Sequence, residues 1–158
     1  MRLEILDLDG DGREVSAESM TSVLTMPKLK ILRLRDFNLR PGALGDLSTL
    51  QNLEDLSISG AALDAEAFEQ LRQLPKLAIL RLNYNSLIPG VDEKPKLTGL
   101  EKLTGLKRIN INGRNIDVSH LHVIGELENL EALNIGNDTI INDDAAQHLT
   151  NLRSLASL

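Results

Sequence analysis

The sequence predicts an α/β solenoid, in which a short strand followed by a short helix or irregular turn recurs along the chain. Three observations lead to this prediction. Hydrophobic residues make up 42% of the chain and are mostly Leu and Ile, whereas aromatic residues make up 2% and Trp is absent. One apolar pattern recurs at intervals near 24 residues. Within each recurrence, alternation typical of a strand is followed by spacing typical of a helix.

Composition limits the class of protein. The chain of 158 residues, 25% of them charged, is long enough for one domain with its own core. It has no cysteine, which excludes disulfides and thiolate zinc sites and suits a reducing compartment, so we expect a cytoplasmic location. The start, "MRLEILDLDG", is acidic where a signal peptide is apolar, and no stretch approaches a membrane span of about 20 residues. A net charge of −6 argues against nucleic acid as a partner.

The recurring pattern first appears as "LEILDL" and returns six times. Its occurrences begin near Leu3, Leu29, Leu53, Leu77, Leu106, Leu130 and Leu152. The similarity extends beyond the strand, because "VSAESMTSVLTMPKLKILRL" aligns without gaps on "LDAEAFEQLRQLPKLAILRL". We therefore predict one domain over residues 1–158 with about seven repeats. Residues 88–96 interrupt the period and carry Pro and Gly, so we expect a bulging insertion there.

Each repeat contains a strand and then a helical segment. In "LAILRLNYNSL", Leu80 and Leu82 are two positions apart, so a strand points both to one side and the residue between them to the other. In "LDAEAFEQLRQL", apolar residues recur every three positions from Phe68 to Leu74, behind Asp64 as a candidate N-cap. No single unit can bury its own leucine face, so we expect the units to stack around one continuous core.

The stretch "LAILRLNYNSL" fits the pattern L-x-x-L-x-L-x-x-N-x-L, and the whole chain resembles leucine-rich repeat proteins, with repeats near 24 residues similar to bacterial ones. The resemblance implies a right-handed horseshoe-shaped solenoid with a parallel sheet on the concave face and short helices or irregular turns on the convex face. The family's asparagine appears only at Asn85. The resemblance therefore implies that the usual ladder of asparagine hydrogen bonds is largely missing.

One stretch resembles a metal site. The segment "DLDGDGREVSAE" satisfies D-x-[DN]-x-[DN]-G-x5-E, which resembles a calcium-binding loop. Its carboxylates are Asp7, Asp9, Asp11 and Glu18. The repeat offers the favoured interpretation, because it places Asp7 and Asp9 as outward strand residues beside Arg33 and Arg35 of the next strand. We therefore expect no metal and no cofactor, and keep calcium as a minor alternative.

No arrangement typical of an enzyme is visible, so we predict a non-catalytic protein. His120 and His122 fall in a predicted helix, where a spacing of two points them apart and disfavours shared metal ligation. The serines lack a nucleophile motif, and no glycine-rich phosphate loop is present.

Outward strand residues form two predicted rows across the sheet. The first row is Asp7, Arg33, Ser57, Arg81, Asn110, Asn134 and Ala156, and the second is Asp9, Arg35, Ser59, Asn83, Asn112 and Gly136. Arginine and tyrosine are frequent hot spots of protein interfaces. The candidate partner-binding residues are therefore Arg33, Arg35, Arg81, Asn83, Tyr84, Arg108, Asn110 and Asn112. A face that is merely polar and solvated is the alternative interpretation.

These rows predict a non-catalytic module that binds another protein on its concave face. A second hypothesis is that the chain is a structural part of a larger multidomain protein, such as an effector or receptor, whose activity lies elsewhere. The pattern begins and ends on strands, whereas solenoids shield their end cores with polar caps. Uncapped ends also allow end-to-end self-association.

Overall fold

The computed structural model describes residues 2–39, 42–63, 65–87, 97, 99–114, 118–136 and 143–158. The predicted insertion at 88–96 and the candidate cap Asp64 lie outside these residues. Within these ranges there are four short helices, namely α1 (Ala17–Leu24), α2 (Ala65–Leu71), α3 (Val118–Ile124) and α4 (Asp143–Leu149). Two single turns of 3-10 helix lie at Leu47–Thr49 and Leu100–Lys102. Among the described helices, none is both long and apolar enough to cross a membrane.

The strands form one parallel sheet and one small ribbon. The main strands are β1 (Ile5–Asp9), β3 (Ile31–Arg35), β5 (Asp55–Ser59), β7 (Ile79–Leu87), β8 (Arg108–Arg114) and β9 (Ala132–Ile135), which neighbour one another in that order. The short β6 (Ala62–Leu63) also pairs with β7, while β2 (Glu14–Val15) pairs with β4 (Asn38–Leu39). Strands in chain order with helical segments between them are the predicted strand-and-helix solenoid, so the fold prediction is confirmed.

The register follows the leucine pattern. Leu56 pairs with Leu32 on one side and with Leu80 on the other, and Leu80 pairs in turn with Ile109. Just before the strands, the same backbone bonds recur: the amides of Lys30 and Ile31 both donate to the carbonyl oxygen of Glu4. Equivalent paired bonds precede β5, β7, β8 and β9. Each coil is thus placed on its neighbour by backbone hydrogen bonds as well as by apolar packing.

The core runs between the sheet and the helical segments. Leu29, Leu53, Leu106 and Leu130, which open four of the repeats, are completely buried. Full burial of a leucine side chain contributes about 1.5–3 kcal/mol, so the repeated leucines supply most of the stabilisation. Leu6 and Leu8 of β1 are only half-buried, because β1 pairs with a strand on one side only within the described chain.

Side-chain hydrogen bonds join successive coils, but at a position that was not predicted from the sequence. Asn52 Nδ2 donates to the carbonyl oxygen of Pro27, and Asn129 Nδ2 donates to that of Thr104, both over 2.9 Å. Both asparagines stand in the turn that leads into a strand. Side-chain amides therefore join successive coils before the strands, whereas the side chain of Asn85 lies outside the described part.

Two helical segments begin with a side-chain cap. The Oγ of Ser16 accepts a hydrogen bond from the Ser19 amide at the start of α1. The Oδ1 of Asp46 accepts one from the Ser48 amide, over 3.0 Å. Hydrogen bonds from the Ser48 side chain and backbone lower the pKa of Asp46, because they favour its ionised form. These caps satisfy amides that have no partner within the helix.

Helices α3 and α4 approach each other closely at Gly125. A Cβ added there would lie 2.2 Å from the carbonyl oxygen of His148 and 3.2 Å from that of Leu121. We expect Gly125→Ala to lower the free energy of unfolding by about 1–3 kcal/mol, because the two helices must separate. The melting temperature should fall by roughly 2–4 °C for each kcal/mol. Gly105→Ala is the control, since its Cβ would make ordinary contact at 3.5 Å with Leu77; equal melting of both variants would contradict the close approach.

Candidate functional site

Outward strand residues form rows across the six main strands, as predicted. The end of the first row is an exception, because a bridge joins Ala132 to Ser157 and Ala156 is therefore not the neighbour of Asn134. Arg33 pairs with Ser57, Ser57 with Arg81, and Arg81 with Asn110. In the second row, Asn83 pairs with Asn112. The structure thus places the candidate residues Arg33, Arg81, Asn83, Asn110 and Asn112 on one face, which we call the concave face. The backbone of Tyr84 continues β7, but its side chain lies outside the described part.

The concave face carries a third row of residues, which was not predicted from the sequence. It comprises Ile5, Ile31, Asp55, Ile79, Arg108 and Ala132, which are paired in register across the six strands. Of these, only Arg108 was among the candidates. The signal was available, because each member lies two positions before a member of the first row, and strand residues two positions apart share a face. The third row adds aliphatic side chains to a face predicted to be polar.

Asp55 is the centre of an ion cluster on the concave face. Only 7% of the residue is exposed, and its carboxylate accepts a hydrogen bond from Arg81 Nη1. On the other side, Arg33 Nη2 lies 4.0 Å from the same carboxylate. The two arginine side chains remain about a third exposed, 36% for Arg33 and 34% for Arg81. One buried carboxylate therefore holds the guanidinium group of Arg81 by a hydrogen bond and lies within ion-pair distance of that of Arg33.

The two remaining candidate arginines differ in their partners. Arg35 Nη2 lies 2.9 Å from Asp7 Oδ1, which confirms the predicted pairing of opposite charges between β1 and β3. Both side chains are largely exposed, so this pair contributes at most about 1 kcal/mol. Arg108 is exposed and forms no ion pair with any described residue. It is therefore a cation that this part of the chain leaves unneutralised.

A shallow depression lies on the concave face between β7, β8 and β9. Its volume is about 260 Å³, and the residues around it include Ile79, Arg81, Arg108, Asn110, Ala132 and Asn134. None of the described residues that line it carries a side-chain carboxylate. The depression combines two guanidinium groups, two amides and two aliphatic side chains, so it offers hydrogen-bond donors beside apolar surface.

The described residues do not bring the four candidate calcium ligands together as a set. Asp7 is paired with Arg35, and the carboxylate of Asp9 accepts a hydrogen bond from the amide of Asp11, over 3.3 Å. Glu18 lies in the first turn of α1 and is exposed. Across the described ranges, no group of three or more His, Cys, Asp or Glu side chains could hold a metal ion.

The histidines lie on the helical side, away from the depression. As predicted, His120 and His122 point apart on α3: His120 is 1% exposed, whereas the side chain of His122 is 64% exposed. No pattern in the chain predicted that the His122 ring would lie 5.1 Å from that of His148 on α4.

Comparison with known proteins yields structural likeness alone. No protein family model matches the sequence, and no curated protein matches it. Among solved structures, internalin C2 of Listeria monocytogenes is similar over 98% of this chain and 70% of its own, with 22% sequence identity and a TM-score of 0.52. Another internalin of that species matches over 99% of this chain and 60% of its own, with 17% identity and a TM-score of 0.41. The first likeness supports the fold described above.

Proposed function

We propose that this leucine-rich repeat chain is a non-catalytic module that binds another protein on its concave face. The observation that carries the proposal is the fixed ion cluster of Arg33, Asp55 and Arg81 beside the unneutralised Arg108. Side chains fixed before binding lose less conformational entropy when a partner arrives. A parallel sheet on a packed core provides a rigid support for them.

The chemistry of the concave face suits protein recognition. Arginine is enriched in interface cores and hot spots, and interfaces combine apolar contact with hydrogen bonds. Here the half-buried Ile31 and Ile79 lie in the row next to the arginines, and Asn110 lies beside them. The net charge of −6 disfavours a nucleic-acid partner, whose backbone attracts basic surfaces.

The test places a bulky side chain on each side of the solenoid. After a partner is captured from cells of the source organism, its dissociation constant is measured with Asn110→Trp, Asn134→Trp and the helical-side control Gln147→Trp. Asn110 and Asn134 face out from adjacent strands, and Gln147 is exposed on α4. We expect each concave variant to weaken binding at least about tenfold and the control to change it by less than about twofold.

Two results would reject the concave face as the binding surface. The first is unchanged affinity in both concave variants. The second is a loss of affinity in Gln147→Trp alone. Because all three positions are exposed or half-exposed, circular dichroism should show the same fold in every variant.

A structural role within a larger assembly, including end-to-end association, is the second candidate. Ile5 is 52% exposed, and Leu6 and Leu8 are half-buried at the outer edge of β1. An unpaired strand edge with apolar side chains favours pairing with another chain. Sedimentation of the wild type and of Ile5→Lys over a range of concentrations tests end-to-end association. Association that the lysine abolishes would support this mode of assembly, and a monomer at every concentration would reject it.

A further inference from the structure

We infer that the depression between β7, β8 and β9 binds an aspartate or glutamate side chain of the partner protein, with a neighbouring aliphatic side chain packed on Ile79 and Ala132. This inference rests on the proposed function and adds to it the chemistry of the partner. It follows from four features of the depression: an unneutralised arginine, a second arginine held by Asp55, amides on β8 and β9, and no side-chain carboxylate among the described lining residues.

Arg108 differs from three other cations in or directly before the main strands, each of which has an ion-pair partner. Lys30 lies 3.0 Å from Glu4, Lys107 lies 3.0 Å from Glu131, and Arg35 lies 2.9 Å from Asp7. Arg108 is exposed and has no such partner among the residues described. A guanidinium presents parallel N–H groups that match both oxygens of a carboxylate. A carboxylate brought by another molecule would give Arg108 the partner that its own chain does not supply.

Arg81 lines the same depression as a second cation. Arg108 pairs in register with Ile79, two positions before Arg81 on β7, so the two arginines lie on neighbouring strands and are offset by two residues along the strand direction. Asp55 engages Arg81 from β5, on the side away from β8. A guanidinium carries five N–H donors and one carboxylate cannot use them all. Arg81 therefore retains donors for a second carboxylate while Asp55 keeps it in place.

The local charge favours an anion although the chain as a whole is acidic. Arg33, Arg81 and Arg108 carry three positive charges against the single negative charge of Asp55, which leaves a net charge of +2 in a protein of net charge −6. Asn110 and Asn134 add amide donors beside the arginines. A carboxylate in the depression would meet donors on several sides and no acidic side chain among the lining residues that the structure describes.

The size and apolar walls of the depression favour a protein side chain. A volume of about 260 Å³ equals the space of about eight or nine water molecules, enough for one side chain and part of its hydration. Ile79 and Ala132 are half-buried and flank the arginines. A peptide that carries Asp or Glu next to Leu, Ile or Val can make both the carboxylate contact and the aliphatic contact.

The experiment uses random peptides displayed on phage and selected on the immobilised wild-type chain. Selected peptides are synthesised and their dissociation constants measured on wild type, Arg108→Gln, and the control Arg72→Gln. Arg72 is an exposed arginine that follows α2 and pairs with Glu69, so both variants change the net charge equally. We expect selection to enrich Asp and Glu beside aliphatic residues, Arg108→Gln to weaken binding about ten- to one-hundredfold, and Arg72→Gln to change it by less than about twofold.

A second comparison changes the peptide instead of the protein. Replacing the enriched Glu or Asp of a selected peptide by Gln or Asn should weaken binding to wild type about tenfold or more, and should have little further effect on Arg108→Gln. Arg108 is exposed, so Arg108→Gln should melt at the wild-type temperature. Non-additive losses of this kind identify a direct contact between the arginine and the carboxylate.

The outcomes separate this inference from the proposed function. If the selected peptides are not enriched in Asp or Glu, and bind more weakly to Asn134→Trp but not to Arg108→Gln, the inference is overturned. Binding on the concave face is then still supported. Peptides unaffected by Asn134→Trp, or no selected peptides at all, would count against both. Tighter binding of a mixed-sequence single-stranded oligonucleotide than of the acidic peptides, measured at the same salt concentration, would also overturn the inference.

Discussion

Replacing Leu80 by Asp will unfold the chain. Leu80 has no solvent exposure and lies on β7 between Leu56 of β5 and Ile109 of β8. The substitution removes a leucine worth several kcal/mol and buries a carboxylate without a partner. Domains of this kind have a total stability of about 5–15 kcal/mol, so the combined loss exceeds what the fold can tolerate. Circular dichroism should show loss of the native spectrum and of the cooperative melting transition.

A matched pair on β9 provides the control. Leu133 is buried and Asn134, the next residue, faces outward. We expect Leu133→Asp to be severely destabilised and Asn134→Asp to melt within a few degrees of wild type, although both variants gain the same charge. A native spectrum and unchanged melting for Leu80→Asp would show that the inward register is wrong.

Replacing Asp55 by Asn will destabilise the protein through the two arginines that Asp55 neutralises. Asn has nearly the same shape but no charge, so Arg81 loses a charge-assisted hydrogen bond and faces Arg33 without the carboxylate between them. We expect a loss of about 1–2 kcal/mol, kept small because both arginines remain about a third exposed. This corresponds to a fall in melting temperature of roughly 2–8 °C. Salt should reduce the difference from wild type, because it screens the repulsion between the arginines.

Asp7→Asn is the corresponding control. Asp7 also pairs with an arginine across strands, but the side chains of Asp7 and Arg35 are 37% and 54% exposed. Its replacement should cost less than about 1 kcal/mol. If Asp55→Asn melted like wild type, or no lower than Asp7→Asn, Asp55 would not be holding the arginines in place.

The leucine-rich repeat fold was predictable because its information is local and repeated. The spacing of Leu80 and Leu82 determines which side of a strand is buried, and the recurrence of the pattern determines which strands are neighbours. Together they gave the pairing of Arg81 with Asn110, which the register confirms. A periodic core constrains each coil in the same way, so an error in one repeat would have conflicted with the others.

The contacts that depart from the repeat could not be predicted from it. Asp55 occupies a position that is isoleucine in the flanking strands, and only the geometry shows that Arg81 and Arg33 converge on it. The bonds from Asn52 and Asn129 to the preceding coil likewise depend on distances between residues 25 positions apart. The candidate residues whose side chains are described were thus placed on one face, and the pairing of Arg35 with Asp7 was predicted, while the pairing of Arg33 and Arg81 with Asp55 was missed. That they bind a partner stays a prediction.

Single-cysteine labelling along β8 is the direct test of whether alternate strand residues enter one shared interior while the others face outward. The native chain has no cysteine, so each introduced thiol reports only its own position. The substituted residues are Ile109, Asn110, Ile111 and Asn112. We expect rapid reaction with a thiol reagent at 110 and 112 and protection at 109 and 111 until the protein is denatured. Uniform reactivity, or protection at 110 and 112 instead, would contradict it.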